Sequence, residues 1–145
     1  MTAPKIKLTN EEMRYIALFE SITGATIKDC LIDQKEKRII FIAKEGDMGL
    51  AIGKGGKNIN LFKKMTNHSV EMVEYANTPE QLIRNALAPA RIKNIRFSEK
   101  SGKKIAIVEV DPKDKAIAIG KNGRTIEKTR MLVRRYFQID HIVIV

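Results

Sequence analysis

The sequence predicts an α+β protein built from two tandem copies of one module, each in the order α-β-β-α-α-β, with a three-stranded sheet packed on helices. Two observations carry this. The nine residues AIGKGGKNI at 51–59 return as AIGKNGRTI at 118–126, a displacement of 67 with six positions identical. Self-similarity of this kind marks a duplicated structural unit. The match continues upstream at the same displacement, pairing Asp47 with Asp114, Leu50 with Ile117 and Ile40 with Ile107, while Ile27-Lys28 pairs with Ile92-Lys93 at a displacement of 65. The second copy is therefore expected to carry a hairpin loop two residues longer.

In the first copy Thr9 and Glu12 form a capping box ahead of Met13, Ile16, Ala17 and Ile22, an amphipathic helix that stops at Gly24. Residues 27–34 and 38–44 are rich in β-branched and aromatic residues around the charged turn Gln34-Lys35-Glu36-Lys37, the mark of two strands. Asp47 is placed to cap a short helix through Ile52. The stretch Gly53 to Gly56 interrupts it, a second helix runs from about Lys57 to Asn67, and a strand over 70–76 closes the copy.

The second copy opens on Thr78-Pro79-Glu80-Gln81, a cap, a first-turn proline and a capping-box glutamine ahead of Leu82, Ile83, Ala86 and Leu87. Strands near 91–99 and 103–111 flank Lys100-Ser101-Gly102. Asp111-Pro112 starts a short helix ending at Ile119, the stretch Gly120 to Gly123 follows, then a helix from Arg124 to about Phe137 and a strand over 139–145. The domains are expected at 1–76 and 77–145. Only Ala76, Asn77 and Thr78 join them, with no flexible spacer, so a fixed mutual orientation and one continuous binding surface are expected.

Lysine and arginine outnumber aspartate and glutamate 27 to 17 in this chain of 145 residues, which favours a polyanionic partner. The excess is uneven, with +8 of the net +10 carried by residues 77–145. Cys30 is the single cysteine, which excludes an intrachain disulfide and a thiolate metal cluster and suits a small buried apolar residue. The longest apolar run, Ile39 to Ala43, is far too short to span a bilayer, so no membrane partner and a cytoplasmic location are expected.

The repeated stretches, Ile52-Gly53-Lys54-Gly55-Gly56-Lys57-Asn58-Ile59 and Ile119-Gly120-Lys121-Asn122-Gly123-Arg124-Thr125-Ile126, both read I-G-x-x-G-x-x-I with lysine after the first glycine. Glycine at both ends lets the chain turn sharply and lets another backbone approach. Such a loop presents its amides and the next helix's N-terminus to a phosphate. Lys54 and Lys121 add charge there. Ile52, Ile59, Ile119 and Ile126 anchor the flanking helices and line a groove floor. On the following helix Arg124, Lys128 and Arg135 fall within about 40° of one another, with Ile126, Thr129, Val133 and Phe137 facing the other way. Lys57 and Lys64 form the comparable stripe in the first copy, opposite Ile59 and Phe62.

On these loops and this element order each half resembles a KH domain, and the whole resembles the archaeal NusA-like transcription termination and antitermination factors, which carry tandem type II KH domains. The resemblance implies that each loop clamps about four nucleotides of single-stranded RNA by its backbone, the bases being read in an adjacent groove. The positions carried over are Gly53, Lys54, Gly55 and Gly56, then Gly120, Lys121, Asn122 and Gly123. RNA polymerase or other transcription factors are further expected partners. Nothing in this sequence corresponds to the polymerase-binding domain or the OB-type domain of bacterial NusA.

A nucleotide-binding enzyme fits poorly. From Gly49 to Gly53 only three residues intervene where a phosphate loop needs four, and Lys54 is followed by Gly55 rather than a magnesium-binding hydroxyl. The dinucleotide pattern fails at Asn58 and Thr125, where its last glycine belongs. His68 and His141 show no metal-ligand spacing, and Asp47, Asp111 and Asp114 read as caps and first-turn acids rather than a catalytic set. No enzymatic activity, cofactor or small-molecule substrate is expected. The alternative that stays open is a KH-type ribosomal or ribonucleoprotein assembly protein.

Overall fold

The computed structural model describes residues 7–145, which divide into two compact units, Lys7–Tyr75 and Ala76–Val145. In the first, helix α1 spans Asn10–Thr23. Its box is complete: the Thr9 amide donates to Glu12 Oε1 at 2.8 Å and the Glu12 amide to Thr9 Oγ1 at 3.1 Å. Gly24 ends the helix in the left-handed conformation, φ 75°, returning its N–H to the Glu20 carbonyl. Strand β1 (Ile27–Asp33) runs antiparallel to β2 (Arg38–Ala43), and β3 (Ser69–Glu74) lies parallel to β2, giving the order β1-β2-β3. The short helix α2 (Met48–Ile52) and the longer α3 (Lys57–Thr66) connect β2 to β3.

The core of this unit is aromatic. Phe19 of α1 stacks on Phe41 of β2 with ring centroids 4.5 Å apart, and Phe62 of α3 meets both edge-on at 5.2 and 5.4 Å. All three are fully buried, as is Cys30. Phe62 thereby fixes α3, the helix that follows the glycine loop, to the sheet. Arg38 is also buried and bridges all three strands, its Nε to Asp33 at 2.9 Å and its Nη1 to Glu71 at 3.0 Å. Ile105 takes its place in the second copy.

The second unit repeats the plan. It contains α4 (Pro79–Leu87), β4 (Ile92–Lys100), β5 (Lys103–Val110), α5 (Lys115–Ile119), α6 (Arg124–Phe137) and β6 (His141–Ile144), with the sheet order β4-β5-β6 and β6 parallel to β5. Ser101 and Gly102, with φ 54° and 78°, make the two-residue hairpin turn, since positive φ at both central positions matches the strand twist. The core is aliphatic: Ile83, Leu87, Val108, Val133 and Ile142 are among its buried members. The expected capping box is half made. Thr78 Oγ1 accepts from the Gln81 amide at 3.3 Å, but the Gln81 side chain turns down the helix and donates to Asn85 Oδ1 at 2.9 Å.

Asp47 and Asp114 are not helix caps. Neither side chain bonds to the first turn of the helix it precedes. Instead Asp47 Oδ2 accepts from the Thr26 amide at 2.8 Å, and Asp114 Oδ2 accepts from the Arg91 amide at 2.8 Å and from Arg91 Nε at 2.9 Å. The same carboxylate thus ties the short helix to the start of the first strand in both copies, beside a β-bulge each copy also shares. Asp111 does cap, accepting from the Lys113 amide at 3.0 Å. The hydrogen bonds from the Arg91 guanidinium and amide hold the Asp114 carboxyl below the usual carboxylate range, outweighing the effect of its burial. A depressed native pKa stabilises the fold above the unfolded value of about 3.9, and that contribution is lost as pH falls through the native pKa. Asp114→Ala is therefore expected to lower the urea midpoint at neutral pH and to flatten its decline below about pH 4. An unchanged acid limb would contradict the assignment.

Candidate nucleic-acid interface

Each loop is built the same way to within a few degrees. The α2 helix ends at Gly53 with φ 76°, ψ 166°, and α5 ends at Gly120 with φ 80°, ψ 166°. One 3₁₀ turn follows, Lys54–Gly56 or Lys121–Gly123, closed by the Gly56 amide on the Gly53 carbonyl and the Gly123 amide on the Gly120 carbonyl, each at 3.1 Å. Gly55 and Asn122 share the left-handed region at φ 64° and 57°, as do Gly56 and Gly123 at 76° and 75°. Asparagine at 122 is accounted for, because its short polar side chain tolerates this region better than most residues.

The glycines have different tasks. A Cβ on Gly53 would lie 2.8 Å from Asn58 Nδ2, and one on Gly120 would lie 2.7 Å from the Thr125 amide nitrogen. The first glycine of each loop therefore makes room for the protein's own following helix. A Cβ on Gly55 would meet nothing within 4 Å, so the open side of the loop is at its second and third positions. Asn58 also staples the first loop, donating from Nδ2 to the Leu50 carbonyl at 2.9 Å.

Lys54, Gly55, Lys121 and Asn122 are exposed; Gly53, Gly56, Gly120 and Gly123 are half-buried. Lys57 and Lys64 stand on the exposed side of α3, opposite buried Phe62. The stripe expected on α6 does not form. Lys128 is only 9% exposed and lies in a buried arc with Thr129, Leu132 and Val133, so it is not a backbone contact. Leu132, one turn after Lys128, was the available sign that the buried arc reaches that far round. Arg124 and Arg135 are half-buried, and none of these three cations lacks a partner within the protein.

Ile52 is half-buried and Ile119 is 40% exposed beside its loop, while Ile126 packs on the second core. Leu50 and Ile117, equivalent positions of the repeat, carry no signal of a role in the sequence. They are 54% and 45% exposed, each three residues ahead of the first loop glycine. In each copy, then, a left-handed turn offers a lysine and open backbone beside an exposed aliphatic side chain. This chemistry suits an extended polyanion carrying flat apolar groups.

A KH domain model matches residues 13–84, and a NusA-like second KH domain model matches residues 79–144. The chain is 41% identical over 138 residues to the probable transcription termination protein NusA of Halococcus morrhuae, covering 95% of this chain and 97% of that one. The chain belongs to the NusA-like KH family. A second NusA-like relative, the probable transcription termination protein NusA of Methanocaldococcus jannaschii, is 31% identical over 141 residues, 97% of this chain and 76% of its own. The crystal structure of APE1850 superposes with a TM-score of 0.87 at 36% identity, covering 95% of this NusA-like chain and all of that one.

Proposed function

We propose that this NusA-like protein is a single-stranded RNA-binding transcription termination or antitermination factor that holds the RNA backbone with its two glycine-lysine loops. The observation that carries the proposal is the duplicated loop, in which an exposed lysine and the open side of a left-handed turn coincide in both copies. Lys54, Gly55, Gly56 and Lys57, and Lys121, Asn122 and Gly123, are the proposed backbone contacts. Ile52, Gly53, Ile119 and Gly120 shape the loops, Lys64 extends the first contact, and Arg124 and Arg135 border the second. The assembly alternative is not favoured, because relatives that match over nearly the whole chain bear the NusA name. RNA polymerase or another transcription factor is proposed as a second partner, in the cytoplasm. Among the described residues no helix is long and apolar enough to cross a membrane, and no cluster of potential metal ligands is present.

Two modules on one strand bind with the second event made intramolecular, so RNA long enough for both should bind more tightly than either half binds its own segment. Fluorescence anisotropy with labelled single-stranded RNA is expected to show submicromolar to micromolar affinity, with log K falling against log salt by about 0.7 per phosphate neutralised. Absent or salt-independent binding would refute the proposal.

A further inference from the structure

The second copy exceeds the first at one end, and the surplus borders an open pocket. Helix α6 has 14 residues where α3 has 10, about one further turn, and that turn ends in Phe137. The β4–β5 ladder also runs two pairs further than its counterpart, through Glu99–Lys104 and Lys100–Lys103. Between these extensions lies a cavity of about 380 Å³ with Phe97, Phe137 and Ile139 as its apolar walls, Pro79 beside them, and Glu99 and Lys104 at the hairpin side. Phe97 points from the core face of β4 beyond the end of the core and stays 45% exposed, whereas the first copy has Ile32 there, packed on its core. Asp140 locks the walls together: its carboxylate accepts the Lys104 amide at 2.9 Å, its own amide donates to the Lys104 carbonyl at 2.9 Å, and its carbonyl accepts from Arg134 at 3.0 Å.

We propose that this pocket receives a nucleobase of bound single-stranded RNA, a contact separate from the loop clamp; the proposal rests on the RNA-binding function above. Two phenyl side chains offer a flat apolar surface for a base, and aromatic stacking with nearby cations is how single strands are held without sequence readout. Exposed Lys100, Lys103 and Lys104 on the hairpin outnumber Glu99 beside them, so charge favours a polyanion over an acid-poor peptide. At 1.5 Å per residue α6 puts the pocket about 20 Å from the second loop, so it takes a base outside the nucleotides clamped there. The hairpin lysines also give part of the basic excess of residues 77–145 a location away from the loop.

The sequence has no tryptophan, so F97W in the full chain installs a single reporter. Saturating polyadenylate is expected to quench its fluorescence, and F97A is expected to weaken polyadenylate binding by about five- to a hundred-fold with an unchanged melting temperature. No quenching at saturation overturns the proposal whatever F97A does, and so does F97A binding within twofold of the parent; a protein segment would then be the better occupant. Quenching that persists at higher RNA concentration when both loops carry acidic substitutions would uphold the pocket. Unimpaired affinity in those loop variants would instead count against the clamp, so the two failures are distinguishable.

Discussion

Substituting aspartate for Lys54 and Gly55 and for Lys121 and Asn122 together is expected to reduce RNA affinity by about two to four orders of magnitude while the protein stays folded. The loss follows from charge. Each lysine contact to a phosphate is worth about 1.5 to 3 kcal/mol, two are removed, and four carboxylates are set against the strand. The fold survives because all four positions are exposed, Gly55 has open space where a Cβ would go, and aspartate is among the few residues that tolerate the left-handed region of 55 and 122. Anisotropy titrations paired with thermal melts check both halves of the expectation. Normal binding by the quadruple variant would mean that the loops are not the clamp.

Single-loop variants test a finer point. The charge surplus of the second half ranks the second loop first. Exposure changes that ranking: Lys54, Lys57, Lys63 and Lys64 are all exposed on and after the first loop, whereas on and after the second Lys121 and Arg134 are exposed, Arg124, Arg130 and Arg135 half-buried and Lys128 buried. The first loop is therefore expected to lose at least as much affinity as the second. A markedly larger loss from the second loop would restore the ranking by net charge.

The duplication made most of the fold legible. A displacement of 67 with one change to 65 aligned the antiparallel strand pair, the short helix and the loop, though not the strand that closes each copy, which the longer α6 moves on, and the turn signals at Gly24, 34–37 and 101–102 lie where the chain turns. What escaped were choices between two partners for one side chain. Asp47 and Asp114 stand at the start of a short helix by sequence, yet each reaches the amide just ahead of a strand some twenty residues away, a partner that local spacing cannot reveal. Gln81 likewise had two local partners, the Thr78 amide for its side-chain oxygen and Asn85 Oδ1 for its side-chain nitrogen, and took Asn85. On α6 the angular pattern placed the apolar face correctly but underestimated its width. A lysine with a long aliphatic stem can border a core as readily as a solvent face. The pocket was hidden for a related reason: Phe97 alternates as a core residue should, and only the reach of the hairpin beyond the helices leaves it half exposed.

Gly120→Ala is expected to be among the most damaging single-methyl additions to this protein, costing about 2 to 5 kcal/mol in the second unit. Its backbone at φ 80°, ψ 166° lies in a region essentially reserved for glycine, which alone accounts for about 1 to 3 kcal/mol. The new Cβ would also meet the Thr125 hydroxyl, with the Thr125 amide nitrogen at 2.7 Å and its Cβ at 2.9 Å. Thr125 sits in the first turn of α6, whose Val133 is buried in the core, so the helix cannot simply retreat. Gly53→Ala has the same torsions, but its nearest neighbours are the Asn58 side-chain atoms at 2.8 and 2.9 Å, with the Asn58 nitrogen farther off at 3.2 Å. That side chain can rotate away at the expense of its bond to the Leu50 carbonyl, so the loss should be smaller. Gly55→Ala meets nothing and should cost least, about 1 kcal/mol of left-handed strain. Chemical denaturation of the three variants should give the order 120, 53, 55. Adding Thr125→Ala to Gly120→Ala should recover only part of the loss, since the hydroxyl goes but the nitrogen stays. Full recovery would place the conflict in the side chain alone, and an order led by Gly55 would mean that the loops are shaped from outside rather than by the helices behind them.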